Sequence, residues 1–302
     1  MYKQAGPMKE AIYTPGEIRK TYENVHDLLV TKHIIKSYST NRRDIRDLAI
    51  RRLDLSGMRR VLDLGSGYGF FVEKLKGLLA PDATITGIDL VEHNEHAYLD
   101  TVASIHYRGE FIHGPVDLVR SMKDGSFDLI ISSYSLYFFP YIVPQVARLL
   151  AGDGAFIAIT HSERSLEEAL GFVQGCMKTL GLRAPEKTAL GRLFAAFSAE
   201  NGVRLLEPFF DRVERITYRN SMVFKSGHIE DCVYYLEKKK SLIYKEIIDG
   251  YPDRVLDLER CIGARVYDHA KRHGLVSFNK DDGIFICRKS AVTRAGALEE
   301  NE

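Results

Sequence analysis

The stretch VLDLGSGYGFF, residues 61–71, constrains this chain more than any other. Strand-forming positions run straight into glycines at 65, 67 and 69, and Phe71, Leu75, Leu78 and Leu79 then mark a helix. Residues without a Cβ let the backbone turn tightly and let a ligand come close to it. The same alternation continues downstream. Residues 83–90 (ATITGIDL) read as a strand, 93–104 as a helix, 107–113 as a weak strand and 127–133 (FDLIISS) as a strong one. A helix over 142–150, a Gly-Asp-Gly turn at 152–154 and a strand over 155–160 complete the series. Strands and helices at this spacing predict βαβ units, hence an α/β fold with a mostly parallel sheet covered on both faces.

The flanks read differently. Residues 1–16 look like a loose arm, 17–38 like one helix, and Asn41 like the cap of a second helix bearing Ile45, Leu48, Ala49 and Leu53. Further on, Ser165 and Glu168 have the spacing of a capping box. Residues 190–201 read as a helix, 212–224 as a strand and 228–274 as mostly helical. Residues 276–288 read as a hairpin of two apolar arms around Asp281, Asp282 and Gly283. The organisation expected is a helical arm or cap at 1–56, a core at 57–227, a helical lid insertion at 228–275, terminal core strands at 276–289 and a disordered tail at 290–302.

Composition narrows the class. The formal net charge is +1, so no global field draws the chain toward nucleic acid or an anionic membrane. The first 60 residues hold 13 Lys/Arg against 7 Asp/Glu, an excess read as solvated helix faces. The run Lys238, Lys239, Lys240 reads as the solvated end of an acidic helix. Cys176, Cys232, Cys261 and Cys287 form no CxxC pair and read as buried free thiols. The first residues lack the apolar core of a secretory signal, and no apolar run approaches the ~18 residues of a membrane span. A cytoplasmic protein is expected. Glu92, His93, Glu95 and His96 look metal-like but follow Asp89 directly and read as a solvated helix start, and His269 with His273 lacks the glutamate of an HExxH motif, so no metal is expected.

Three nucleotide-type ligands compete for the glycine loop. A phosphate-binding P-loop needs Gly-Lys-Ser/Thr, and no lysine follows. A dinucleotide fingerprint needs a third glycine where Phe70 stands, which weakens that reading. Asp89 ends the 83–90 strand twenty residues beyond Gly69, where a carboxylate accepts hydrogen bonds from ribose hydroxyls. It supports adenosine binding without choosing the cofactor.

The run from Val61 to Gly69 resembles motif I of the class I S-adenosylmethionine-dependent methyltransferases, an apolar-apolar-acid-apolar-Gly-x-Gly-x-Gly pattern that it matches at every step. Residues 124–139 (DGSFDLIISSYSLYFF) resemble the motif IV region of members that methylate small molecules. Ser132, Ser133 and Leu136 match there, and Tyr137 stands where those members carry a histidine. The resemblance covers roughly residues 59–160, about a third of the chain, with a looser echo at 212–236.

The resemblance implies a Rossmann-like seven-stranded sheet whose last strand is antiparallel, with helical lid additions. It implies S-adenosyl-L-methionine as cofactor and S-adenosyl-L-homocysteine as product, held by Asp63, Gly65, Ser66, Gly67, Gly69, Asp89, Leu90 and Ser133. Asp63 suits the cofactor's cationic amino group, and Asp117 is the candidate for reading the adenine amino group. Tyr22 and Tyr38 of the arm, with Tyr134, are candidates for contacting the acceptor. His161 and Tyr137 are candidates for catalysis, and Glu163 lies at the same sheet edge. A small organic acceptor is expected, because a lid of ~45 residues closing a pocket suits one better than a duplex, which needs an open basic groove. A homodimer through the lid helices remains open, and no membrane partner is expected. The alternatives are a nucleic-acid or protein methyltransferase, a non-catalytic methyltransferase-like partner module and, more distantly, a dehydrogenase.

Overall fold

The computed structural model describes residues 11–289. The expected loose arm up to residue 10 and the expected disordered tail lie outside the described residues.

Seven strands build one sheet in the order β3-β2-β1-β4-β5-β9-β6. They are β1 (Arg60–Leu64), β2 (Thr84–Asp89), β3 (Arg108–His113), β4 (Phe127–Ser133), β5 (Leu150–His161), β6 (Arg212–Tyr218) and β9 (Asp282–Arg288). The first five pair in parallel, and β9 runs antiparallel between β5 and β6. Parallel strands are covered on both faces, so their side chains alternate between two apolar clusters. Leu62, Leu64, Ile130 and Phe156 point into one, and Val61, Leu129, Ile131 and Ile157 into the other. This is the class I methyltransferase fold.

Three segments depart from the expected elements. The helix expected over 17–38 is two, Pro15–Tyr22 and Val25–Tyr38. Asn24 interrupts it by accepting from the Asp27 N–H at 3.2 Å, so a new cap wins over continuation. Thr14 and Glu17 form a capping box ahead of the first helix, and Tyr13 is buried, so residues 11–16 are not a loose arm. Ser165 caps nothing: Leu166 is the N-cap of the helix Glu167–Thr179, and Glu168 instead accepts from the Asn279 N–H at 2.8 Å. The helix after the glycine loop shrinks to one 3-10 turn, Val72–Leu75, and the helix expected over 190–201 to Ala189–Phe194. The Gly-Asp-Gly turn is absorbed into a longer, bulged β5.

The hairpin expected over 276–288 does not form. β8 (Leu275–Asn279) leaves the core sheet and pairs with β7 (Ser221–Lys225) in a second, two-stranded sheet. The β6–β9 pairing and the β7–β8 pairing share one register: Tyr218 faces Asp282, and beyond a corner Ser221 faces Asn279. They are therefore one antiparallel ribbon bent at residues 219–220 and 280–281. The Lys280 N–H donates to the Asn220 carbonyl at 3.0 Å, and the Asn220 N–H to Asp281 Oδ1 at 2.7 Å, which holds the bend. Gly283 is needed for close approach rather than reversal, since a Cβ there would lie 2.8 Å from Ala199 Cβ. From the far end of this ribbon grow the helices Ile229–Lys238, Lys240–Ile243, Lys245–Gly250 and Val255–His273. Leu258, Ile262, Val266 and Ala270 are the buried stripe of the last one. Among the described residues no helix is long and apolar enough to cross a membrane.

Candidate active site

The carboxyl ends of β1, β2, β4 and β5 meet at one edge of the sheet, where open α/β sheets bind ligands. β1 delivers the chain into Gly65, Gly67 and Gly69, all with positive φ (65°, 52° and 85°). Two of the three have a packing reason as well. A Cβ on Gly65 would lie 2.5 Å from Ser135 Cβ, and one on Gly69 would lie 2.9 Å from Thr101 Cγ2. A Cβ on Gly67 would meet nothing within 4 Å, so that glycine keeps open space beside the loop. The Gly65 and Ser66 N–H groups donate to the Ile88 carbonyl at 2.9 and 3.2 Å. Asp89 completes the turn: Oδ2 accepts from the Gly67 N–H at 2.7 Å and Oδ1 from the Val91 N–H at 2.8 Å. Each carboxylate oxygen accepts more than one hydrogen bond, so capacity for a ribose diol remains.

Several buried polar groups around this loop have no protein partner. Ser66 Oγ, Asn94 Oδ1, Tyr98 Oη and Ser133 Oγ are buried and unbonded. Asp63 is buried beneath the loop, and none of its contacts is a hydrogen bond; burial and then the neighbouring Asp89 charge push its carboxyl up to about 8. Unsatisfied buried groups are rare in native folds and call for an explanation. Glycines that leave room, a strand-end carboxylate and an unpaired acid are the donor set that an amino-acid nucleoside requires. The residues present therefore fit S-adenosylmethionine in chemical type.

A cavity of about 430 Å³ opens beside Gly65 and Tyr68, within the range of small-molecule sites. It runs between the sheet edge and the helical additions. Ser133, Tyr134, Tyr137 and His161 line it from the sheet, Tyr22 from the arm, and Tyr235 and Ile243 from the helices after β7. Tyr134 adopts the left-handed region, φ 58°, which aims its ring across the end of β5. There its hydroxyl donates to Asp282 Oδ2 at 2.9 Å, and its ring packs on His161 at 4.7 Å. Tyr137 stacks on the same imidazole at 5.6 Å and 21°. The Tyr22 and Tyr137 hydroxyls interact, joining the arm to the sheet edge.

His161 and Asp282 are direct neighbours in the β5–β9 register. His161 Nδ1 lies 2.7 Å from Asp282 Oδ1, and Lys280 Nζ lies 3.0 Å from the same nitrogen. A proton on Nδ1 satisfies the contact with the carboxylate and leaves Nε2 as the basic nitrogen; Lys280 then sits beside the ring as an ion-pair partner of Asp282 and not as a donor to Nδ1. Burial, then repulsion by Lys280, pushes the imidazole down to about 4 against the pull of Asp282. Burial opposes ionisation of Asp282, but Lys280, His161 and Tyr134 together hold its carboxyl below the ordinary value. The result is an imidazole that stays neutral near pH 7 and is oriented by a carboxylate, its basicity lowered by burial and by Lys280.

The other expected residues fall elsewhere. Tyr38 bonds to Asp231 and stacks on Phe224 at 4.4 Å, away from the cavity lining. Asp117 accepts from Arg120 at 2.9 Å and from Tyr141 at 2.7 Å, and with half-buried Leu90 it is outside that lining. Asp63, Ser66, Gly67, Gly69 and Asp89 surround the glycine loop rather than the cavity wall. Glu163 is exposed and accepts from Ser198 at 3.2 Å. Of the adjacent tyrosines, Tyr235 lines the cavity and Tyr234 is exposed. Asp282, Lys280 and Lys239 were not singled out by the sequence, because an Asp-Asp-Gly run reads as a turn and a lysine run as a solvated end. Among the described residues no cluster of three metal-ligating side chains occurs.

Residues 61–154 match the family model described as a methyltransferase domain. A curated relative, malonyl-[acyl-carrier protein] O-methyltransferase of Bacillus cytotoxicus, is 29% identical over 126 residues, covering 39% of this chain and 41% of the relative. The chain thus matches about two fifths of that protein's length. Among solved structures, phosphoethanolamine N-methyltransferase 2 of Haemonchus contortus is 11% identical with a TM-score of 0.49, over 94% of this chain and 61% of that one. The YcgJ protein of Bacillus subtilis is 17% identical with a TM-score of 0.46, over 81% of this chain and 98% of that one.

Proposed function

We propose that this chain, whose core is a class I S-adenosylmethionine-dependent methyltransferase domain, transfers a methyl group from S-adenosylmethionine to a small organic acceptor. The observation that carries the reading is the continuity of the glycine loop with one cavity at the sheet edge. Gly65 and Tyr68 line the same 430 Å³ space as Ser133, Tyr137 and His161. A donor seated on the loop and an acceptor seated under the helical additions would share one chamber.

Bound there, S-adenosylmethionine would supply an electrophilic methyl group and a thioether leaving group. The chain's own part is alignment and proton removal. Gly65, Gly67 and Gly69 let the backbone lie against the donor, and Asp89 fixes the loop. Tyr134 and Tyr137 clamp the His161 ring. His161 is the lining group that would take the proton the acceptor's nucleophile sheds; Asp282 favours the imidazolium that results, while burial and Lys280 oppose it. Tyr22 closes the chamber from the arm.

The test is calorimetric titration with S-adenosylhomocysteine, with NAD in parallel. Binding of S-adenosylhomocysteine alone supports the reading. Binding of NAD alone turns Asp89 into a dinucleotide ribose ligand and removes it.

A further inference from the structure

Lys239 and Lys280 have no role in the chemistry above, yet both point into its chamber. The three lysines 238–240 part company in the fold. Lys238 pairs with Asp27 at 3.0 Å and Lys240 with Glu259 at 3.1 Å, both toward the outside. Lys239, between them, turns inward and lines the cavity, where its Nζ stands 5.9 Å from the Tyr22 ring. Among the described residues no carboxylate lies within ion-pair distance of it; Asp27, the acid that acts on it, is already held by Lys238. Lys280 is buried, 3.5 Å from Asp282 Oδ1, and repels Lys239. A desolvated ammonium without a counter-ion is costly, and two sharing one chamber cost more.

Among the described residues the lining holds no spare negative charge to offset this. Its two lining carboxylates are Asp44 and Asp282. Asp44 is taken by Arg46 at 2.7 Å and Lys74 at 3.0 Å, and Asp282 by His161, Tyr134 and Lys280. Lys36, Arg42 and Arg43 add exposed positive charge to the lining. Behind the two lysines the wall is apolar, with Leu190, Leu193, Phe194 and Ile243.

We propose that Lys239 and Lys280 form a subsite for the negatively charged oxygens of the acceptor, which is an apolar molecule bearing a carboxylate or phosphate group. This rests on the methyl-transfer reading, and it deepens that reading by naming the acceptor class. The carboxylate of the cofactor has other cations nearer its own loop: Lys32 Nζ stands 5.7 Å from the Tyr68 ring and 4.8 Å from the Phe70 ring, and Arg46 stacks on Phe70 at 4.1 Å. An anion beside Lys239 would supply the counter-charge that this ammonium lacks and relieve its repulsion by Lys280, which keeps Asp282 as its own partner, while the apolar body lies against Phe194 and the tyrosine rings. Its nucleophile would then lie in the chamber that His161 lines.

The experiment is calorimetric titration of the full chain with inorganic phosphate and with benzoate, each with and without S-adenosylhomocysteine. It is run on the natural protein and on Lys239→Met and Lys239→Arg. The expectation is that one probe binds, that Lys239→Met weakens it by at least about tenfold, and that Lys239→Arg restores most of it. Preference for phosphate or for benzoate identifies the head group. The affinity for S-adenosylhomocysteine is expected to be unchanged in Lys239→Met. If that affinity falls as far as the probe's, the lysine holds the cofactor's carboxylate and the proposal is overturned. Failure of both probes on the natural protein overturns it as well. Should S-adenosylhomocysteine fail to bind while a probe binds through Lys239, the methyl-transfer reading falls and the anion subsite stands.

Discussion

Gly65→Ala and Gly67→Ala place the same methyl group two residues apart in one loop, and the structure assigns them different consequences. Both positions have positive φ, 65° and 52°, so each alanine carries a backbone penalty of about 1–2 kcal/mol. At Gly67 nothing more is added, because the new Cβ meets no atom within 4 Å. At Gly65 the Cβ would sit 2.5 Å from Ser135 Cβ and 2.9 Å from its Oγ. Ser135 must move, and it holds two buried hydrogen bonds, to the Leu64 carbonyl at 2.6 Å and to Ser132 Oγ at 2.7 Å. At ~1 kcal/mol each they bring the cost of Gly65→Ala to roughly 3–4 kcal/mol.

For a chain of 302 residues, an unfolding entropy of ~2.1 cal/mol/K per residue converts 1 kcal/mol into roughly 1.6 °C. Calorimetry should therefore give Tm losses of about 5–6 °C for Gly65→Ala and about 2–3 °C for Gly67→Ala. The ligand effect runs the other way in proportion: Gly67→Ala fills the open side of the loop and should weaken S-adenosylhomocysteine by at least about tenfold despite its small Tm change. The steric account has its own control. Ser135→Gly alone loses the same two hydrogen bonds, so combining it with Gly65→Ala should cost about 2 kcal/mol less than the sum of the singles. Additivity within about 0.5 kcal/mol would refute the clash, and with it the claim that Gly65 is glycine for packing as well as for φ.

Three further outcomes follow from the charged groups. The folded Asp63 carboxyl keeps its proton to about pH 8 while the unfolded one loses it near 3.8, so the ligand-free protein should lose stability as pH rises through that window. Asp63→Asn should flatten the slope. If Asp63 meets the cofactor's ammonium, S-adenosylhomocysteine binding at pH 7 should release about one proton from the natural protein and none from Asp63→Asn; calorimetry in buffers of different ionisation enthalpy measures this, and equal release from both would return Asp63 to a purely structural role. His161→Ala should lower kcat by at least about 100-fold once an acceptor is found, as loss of a general base does. Turnover unchanged in both His161→Ala and Tyr137→Phe would strip the site of side-chain catalysis. Asp282→Asn leaves Lys280 buried without its counter-charge and should cost about 3 kcal/mol or more in urea denaturation; an unmoved midpoint would mean that the His161, Lys280 and Tyr134 contacts carry no weight.

The legible parts of this fold are those whose cause is local. β1, β2 and β4 are buried on both faces, so they appear in the sequence as short apolar runs closed by glycine, aspartate or serine. The glycine loop is legible because positive φ and close approach both select one residue type. The capping of the helix at Val25 by Asn24 was also written locally, but a tolerable 3.6 period across residues 17–38 hid it. What escaped was decided at long range. An alternating strand pattern says that a strand pairs, not with which neighbour, so residues 276–288 looked like a partner for themselves. In the structure both arms pair with 212–225, and the run Lys280, Asp281, Asp282, Gly283 is the corner of a bent ribbon. Every polar residue in that corner had a ready explanation as a turn former. Asp281 does serve the bend, by accepting from Asn220, but Lys280 and Asp282 are spent on the chamber. Lys239 went unnoticed for a related reason. A lysine run at a helix end is ordinarily solvated, and burial in a cavity arises only when the arm, the lid and the sheet edge close around it. The core of the cofactor loop was therefore open to reading from residue types and spacing. The charges proposed to face the acceptor have a meaning that depends on their burial, and only the assembled fold supplies that.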